Sequence, residues 1–148
     1  MNVNEEFVRA AHEAATESAR TSGLPVWVTV AQAALESRFG ASQLAREAHN
    51  YFGIKAHKGH EEIVMPTTEF SGGAARQVTA AFAKYGSMQE CFACRDRILM
   101  TGAVYAAARE MRADEAAFID EMARHWATDP HYAEKLKAVL REVKGGPE

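Results

Sequence analysis

Apolar residues recur at i, i+3, i+4, i+7 and i+8 from Trp27 to Leu35, in the stretch WVTVAQAALESRFG. That period is one face of a helix. Pro25 sits where a first turn tolerates proline, and Gly40 is placed to end the helix. Trp27, Val30, Ala31, Ala34 and Leu35 form the apolar stripe; Thr29, Gln32, Ala33 and Glu36 form the stripe beside it. Glu36 is therefore a carboxylate next to buried surface, one turn from the helix end. Partial burial disfavours its ionisation, and so does the negative partial charge of a helix C-terminus. A glutamic acid that stays protonated near neutral pH is what a general acid requires. On this helix alone, an ordinary boundary glutamate is the simpler account.

The same spacing predicts a first helix from Asn4 to about Arg20, burying Phe7, Ala11, Ala14 and Ser18 and stopped by Gly23. Ser42 to Ala48 reads as a short helix capped by Ser42. From Tyr51 to Tyr85 the pattern changes to β-branched and aromatic runs around SGGAAR, whose glycine pair predicts a hairpin turn. Pro66 argues for an edge strand or a bulge. Glu69 closes the first strand just before the turn. Helical spacing then resumes. Ser87 and Glu90 form a capping box for a helix to about Met100. Gly102 breaks it, Ala103 to about Met111 forms another, and Asp114 to His125 a third. Asp129-Pro130 predicts an N-cap with proline at the first position of a last helix. The tail from 144 to 148 is expected to fray.

With 148 residues, 47% of them apolar, the chain suits one domain, 1–148, with one core. A net charge of −3 without a basic patch argues against nucleic acid as a partner. No apolar run approaches the roughly 20 residues that span a bilayer. The acidic N-terminus is not that of a signal peptide, so export by another route, prior processing or release by lysis is expected. The two cysteines, Cys91 and Cys94, have no second pair to complete a zinc site and read as small apolar residues of a helix. No metal or cofactor is expected.

Glu36 on a helix and Glu69 on a β segment form an asymmetric pair, one near apolar packing and one on an exposed lobe. Two carboxylates across a cleft are the minimal apparatus for cleaving a glycosidic bond. Tyr51, Phe52, Tyr85, Trp126 and Tyr132 are candidate faces for sugar rings, with Phe52 and Tyr85 the best candidates for core packing instead.

In order along the chain, AQAALESRFG, NYFGIK, TTEF, AFAKYGS and WATDPHYAEKL resemble glycoside hydrolase family 73, from about Trp27 to Leu140. That family comprises endo-β-N-acetylglucosaminidases, including the hydrolase domain of the flagellar rod-cap protein and bacterial autolysins. The resemblance implies a lysozyme-like α+β fold, mostly helical, with a small β-hairpin lobe (about 51–85) beside the cleft. It implies that Glu36 is the proton donor and Glu69 the second acidic residue. It places Tyr132 near the substrate's N-acetyl group and Asn50 and Phe52 to Lys55 where the chain turns into the lobe. Gln32, Asn50, Phe52 and Trp126 are expected to contact substrate. Trp126 stands where the family usually has tyrosine, and Arg38-Phe39 where it often has glycine-tryptophan.

The expected function is hydrolysis of the β-1,4 bond after N-acetylglucosamine in peptidoglycan glycan strands, at the bacterial cell wall, by a monomer. A lytic transglycosylase or a muramidase on the same fold is the alternative. A non-catalytic peptidoglycan-binding module is the alternative of another class, and retention of both glutamates speaks against it. The lobe from about Lys55 to Gln77 is expected to be the most mobile part. Before closure, Glu69 should be exposed and out of hydrogen-bond reach of Glu36.

Overall fold

The structure is a computed structural model and describes residues 2–145. The tail expected to fray lies outside the described residues from 146 onward. Among the described residues, seven α-helices enclose one core, and a two-stranded antiparallel hairpin projects from it.

Helix α1 (Val3–Ser22) opens on Asn2, whose side chain accepts from the Glu5 N–H. It buries Phe7, Ala11, Ala14 and Ser18, the face expected from spacing, and ends at Gly23 with φ of 69°. Helix α2 (Val26–Ser37) is more deeply set than its stripe suggests. Besides Val30, Ala31 and Ala34 it buries Val28, Thr29, Gln32 and Ala33. Packing from α1 and from α7 (Tyr132–Val143) on different sides leaves it no polar face.

The end of α2 differs from the expectation. It stops at Ser37, and Arg38, Phe39 and Gly40 all take positive φ (51°, 55° and 80°). The Ser37 hydroxyl holds this reversal, donating to the Ala33 carbonyl and accepting from the Gly40 N–H. Gly40 thus completes the turn rather than the helix. A Cβ there would lie 2.8 Å from the Phe7 ring.

Short α3 (Gln43–Ala48) is capped by Ser42. The hairpin pairs β1 (Glu61–Ser71) with β2 (Ala74–Lys84) in unbroken register from Glu61↔Lys84 to Ser71↔Ala74. Gly72 and Gly73 both have positive φ, the requirement of a tight two-residue hairpin turn. Pro66 causes no bulge; in a two-stranded sheet every strand is an edge. Along β1, Ile63, Met65, Thr67 and Glu69 are half-buried, and the residues between them are exposed. Period two therefore puts Glu69 on the face turned to the body of the protein.

Helix α4 (Met88–Thr101) is capped by Ser87, which accepts from the Glu90 N–H. The return bond of the expected capping box goes one residue further back, with Glu90 accepting from the Gly86 N–H. A 3-10 turn (Ala103–Tyr105) leads into α5 (Ala106–Glu110), then α6 (Glu115–Trp126). The Asp129-Pro130 cap belongs to the turn before the last helix. Asp129 accepts from the His131 N–H, and α7 begins at Tyr132. Cys91 and Cys94 are buried free thiols, and burial pushes the Cys91 thiol up to about 12.

Candidate active site

The cleft lies between the helical body and the hairpin, with a volume of about 580 Å³. Glu36, Phe52, Lys55, Glu69, Trp126 and Tyr132 all line it. Residues from four separate stretches of the chain meet here because α2 and α7 pack together while the hairpin folds back over them.

Glu36 is half-buried in the penultimate position of α2. The Tyr132 hydroxyl donates to its Oε2 at 2.9 Å, and the Trp126 indole N–H donates to the same oxygen at 3.2 Å. Burial raises the Glu36 pKa above 4.5, and the two donated bonds pull it partly back. Burial thus favours the neutral carboxyl, while the two fixed donors favour the carboxylate.

Tyr132 starts α7, and Trp126 ends α6. The reversal from 127 to 131, held by Asp129, brings both to one carboxylate oxygen. Lys135 donates to Asp129 and, as the largest cause, lowers the Asp129 pKa. Tyr132 is buried, with its hydroxyl pKa well above 10, from burial and from the Glu36 charge.

Glu69 reaches the cleft from the hairpin. Its Oε1 accepts from the Lys55 ammonium at 2.5 Å, and its side chain is 31% exposed. It is therefore ion-paired and partly covered, not the free exposed residue expected. Among the described residues no hydrogen bond joins it to Glu36. The hairpin end also touches the opposite wall: the Phe70 N–H donates to the Thr128 hydroxyl at 3.3 Å.

Several residues expected at the substrate are buried, Phe52 at the floor of the cleft and others away from it. Asn50 is 1% exposed and fully committed: its amide donates to the Ile54 and Ala83 carbonyls, and its oxygen accepts from the Phe52 and Ile54 N–H groups. It ties the start of the lobe to the end of β2 and has no free group for a sugar. Gln32 is wholly buried, and its Oε1 accepts two bonds from Arg95. Phe52 is also buried. Its ring packs against Phe92 and edge-on to Trp126, so it underlies the cleft floor. Tyr51 packs between Phe7 and Phe92, and the Tyr85 hydroxyl donates to Cys94, so neither presents a face to a sugar. Tyr105, which the sequence reading missed, lines the cleft beside Trp126.

Arg95 was also missed. It is wholly buried and donates to Gln32, to the Thr29 hydroxyl (2.7 Å) and to Asp96 (2.9 Å). Asp96 accepts in turn from Ser22. The guanidinium lies 5.5 Å from the Phe52 ring centre. A buried charge so fully partnered is costly to break.

A half-buried carboxyl with a raised pKa, in a cleft between helices and a hairpin, fits the arrangement of a lysozyme-like glycan-cleaving enzyme. Comparison with known proteins agrees. The family model for mannosyl-glycoprotein endo-beta-N-acetylglucosaminidase matches residues 12–145, and the chain belongs to that family, a glycoside hydrolase family 73 domain. It is 35% identical to the peptidoglycan hydrolase FlgJ of Salmonella typhimurium, over 83% of this chain and 41% of that protein. It is 34% identical to the exo-glucosaminidase LytG of Bacillus subtilis, over 78% of this chain and 43% of that protein. The chain thus spans about two fifths of the length of these relatives. A peptidoglycan hydrolase mutant from Sphingomonas sp. A1 superposes with a TM-score of 0.86 at 28% identity, covering 95% of this chain and 96% of that one. The catalytic domain of the autolysin Auto from Listeria monocytogenes gives 0.83 at 29% identity, covering 97% and 86%.

Proposed function

We propose that this domain cleaves the β-1,4 bond after N-acetylglucosamine in peptidoglycan, as a monomer acting at the cell wall, with Glu36 as general acid. The observation that carries the reading is the half-buried Glu36 carboxyl with raised pKa, holding two donors on one oxygen at the wall of a cleft. Glu36 gives its proton to the glycosidic oxygen. The bond from the anomeric carbon breaks, and its electron pair stays on that oxygen. Glu69, on the hairpin side, takes a proton from the water that attacks the anomeric carbon. Trp126 and Tyr105 flank the sugar, and Phe52 supports Trp126 from below.

The Lys55 ion pair favours a second reading of Glu69, because it occupies one of the two carboxylate oxygens. In that route the substrate's own acetamido oxygen attacks the anomeric carbon, and Glu69 accepts from the acetamido N–H. Two relatives support the substrate class and leave the bond to be assigned. LytG is named an exo-glucosaminidase, whereas a Lactococcus lactis relative, 32% identical over 95% of this chain, is named a probable N-acetylmuramidase.

Zymography on purified peptidoglycan tests the proposal. The wild type should clear the gel and Glu36→Gln should not. A protein that binds peptidoglycan without clearing it, wild type and variant alike, would be the non-catalytic module.

A further inference from the structure

The two edges of the hairpin are not equivalent. On β2 the Ala81 carbonyl accepts from the Ala56 N–H, and the Ala83 N–H donates to the Ile54 carbonyl, each at 2.9 Å. These positions therefore turn their main-chain groups away from β1. Their register partners on β1 are Val64 and Glu62. In an antiparallel ladder both members of such a pair point outward, and the pattern repeats every two residues. The main-chain groups of Glu62, Val64, Pro66, Thr68 and Phe70 thus point out along the opposite edge. Two further observations agree. Pro66, which has no N–H, sits in this set without breaking the register. The Phe70 N–H leaves the sheet for the Thr128 hydroxyl, so the edge of β1 faces across the cleft. Thr68 and Phe70 are the members of the set that line the cleft. Phe70 has Thr128 as its partner. The Thr68 hydroxyl accepts from the Gln77 amide at 2.9 Å, which holds that side chain over β2. Among the described residues the Thr68 N–H and carbonyl have no partner.

We propose that the main chain of Thr68 is a recognition site for an N-acetyl group of the glycan. Its N–H donates to the acetamido carbonyl, and its carbonyl accepts from a hydroxyl of the same sugar. A bare strand edge is a ready partner for an amide. Glu69 is the next residue, about 3.4 Å along the strand, so the bound sugar lies beside that carboxylate. An extended peptide is the other carrier of amides. It would need the next outward N–H as well, and Pro66 has none, so the edge fits a single amide. This rests on the cleft being the glycan site.

The test is binding to the intact chain carrying Glu36→Gln, followed by amide NMR and calorimetry. The probes are tetra-N-acetylchitotetraose and cellotetraose, which has a hydroxyl in place of each acetamido group. The acetylated sugar should bind about tenfold tighter, and it alone should move the Thr68 amide proton downfield. Thr68→Pro deletes the outward N–H without losing a ladder bond, as Pro66 does two residues earlier. It should weaken the acetylated sugar about tenfold and leave cellotetraose unchanged. Thr79→Pro makes the same change on the far edge, opposite Pro66, and should leave both sugars unchanged. Equal weakening of both sugars by Thr68→Pro, or equal effects of Thr68→Pro and Thr79→Pro, overturns the proposal. So does an acetylated sugar that does not bind or does not move the Thr68 amide. A sugar-free stem peptide that moves this amide when the acetylated sugar does not would assign the edge to peptide and also overturn it. If Thr68→Pro does not fold, the Thr68 amide shift in Glu36→Gln decides alone. Turnover of the acetylated sugar by Glu36→Gln would remove the acid assignment and leave this site standing, so the two failures are distinguishable.

Discussion

The Tyr132 hydroxyl donates to Glu36 Oε2 at 2.9 Å, across 96 positions of sequence. The tyrosine expected near the substrate's acetamido group is bonded to Glu36, the proposed acid. In the proposed mechanism it would act with Trp126 to set how readily Glu36 gives up its proton and to steady the carboxylate that remains.

Removing either donor should therefore raise the Glu36 pKa. Tyr132→Phe and Trp126→Phe should each move the upper limb of the pH profile of kcat/KM to higher pH by about one unit. One unit is the scale of a single hydrogen bond to a charged group, about 1.5–3 kcal/mol. KM should change little in Tyr132→Phe. A rise in KM with an unmoved upper limb would return Tyr132 to substrate binding.

Glu36 should cost the fold stability near neutral pH. Its folded pKa lies above its unfolded value, near 4.5, because burial opposes the charge. Stability from the neutral form is fully present below pH 4.5 and is lost as pH rises through the folded value. Glu36→Gln should melt higher than the wild type at pH 7, and the gap should close below pH 4.5. Melting curves across pH check this; a gap that widens on acidification contradicts it.

Lys55 should tune the second carboxylate. It reaches Glu69 across 14 positions of sequence and is 55% exposed, so the pair adds little to stability. Lys55→Ala should leave the melting temperature within a few degrees and change kcat. Glu69→Gln should slow turnover less than Glu36→Gln, since an acetamido oxygen can replace the attacking water. Activity of Lys55→Ala equal to wild type on peptidoglycan, with Glu69→Gln inactive, would detach Lys55 from catalysis.

The hairpin must lift for a polymer to enter, because Phe70 meets Thr128 across the cleft. Glycines at 72 and 73 and exposed Val64 and Phe70 leave its outer half little packing. Backbone amides from 63 to 78 should exchange faster than those of α2 and α4, and bound glycan should slow them. Exchange as slow as that of the helices, with or without glycan, would contradict the lid.

Which parts of the site were legible follows from how local their causes are. Glu36 could be placed from the period of its own helix, and the hairpin from its glycine pair. The inward set of Glu69 follows from strand parity once the register with Arg76 is known. Arg95 could not be read this way. In the run CRDR it differs from Arg97 only in direction, and its burial depends on Thr29 and Gln32, more than 60 positions away. Gln32 and Asn50, expected to contact substrate, are committed inside the fold. Their partners, Arg95 for one and the lobe backbone for the other, exist only after folding.

Mass spectrometry of a peptidoglycan digest tests the central claim most directly. The wild type should release fragments with N-acetylglucosamine at the reducing end, and Glu36→Gln should release at least about 10²-fold less. Reducing N-acetylmuramic acid ends, anhydro ends, or an undiminished yield from Glu36→Gln would contradict it.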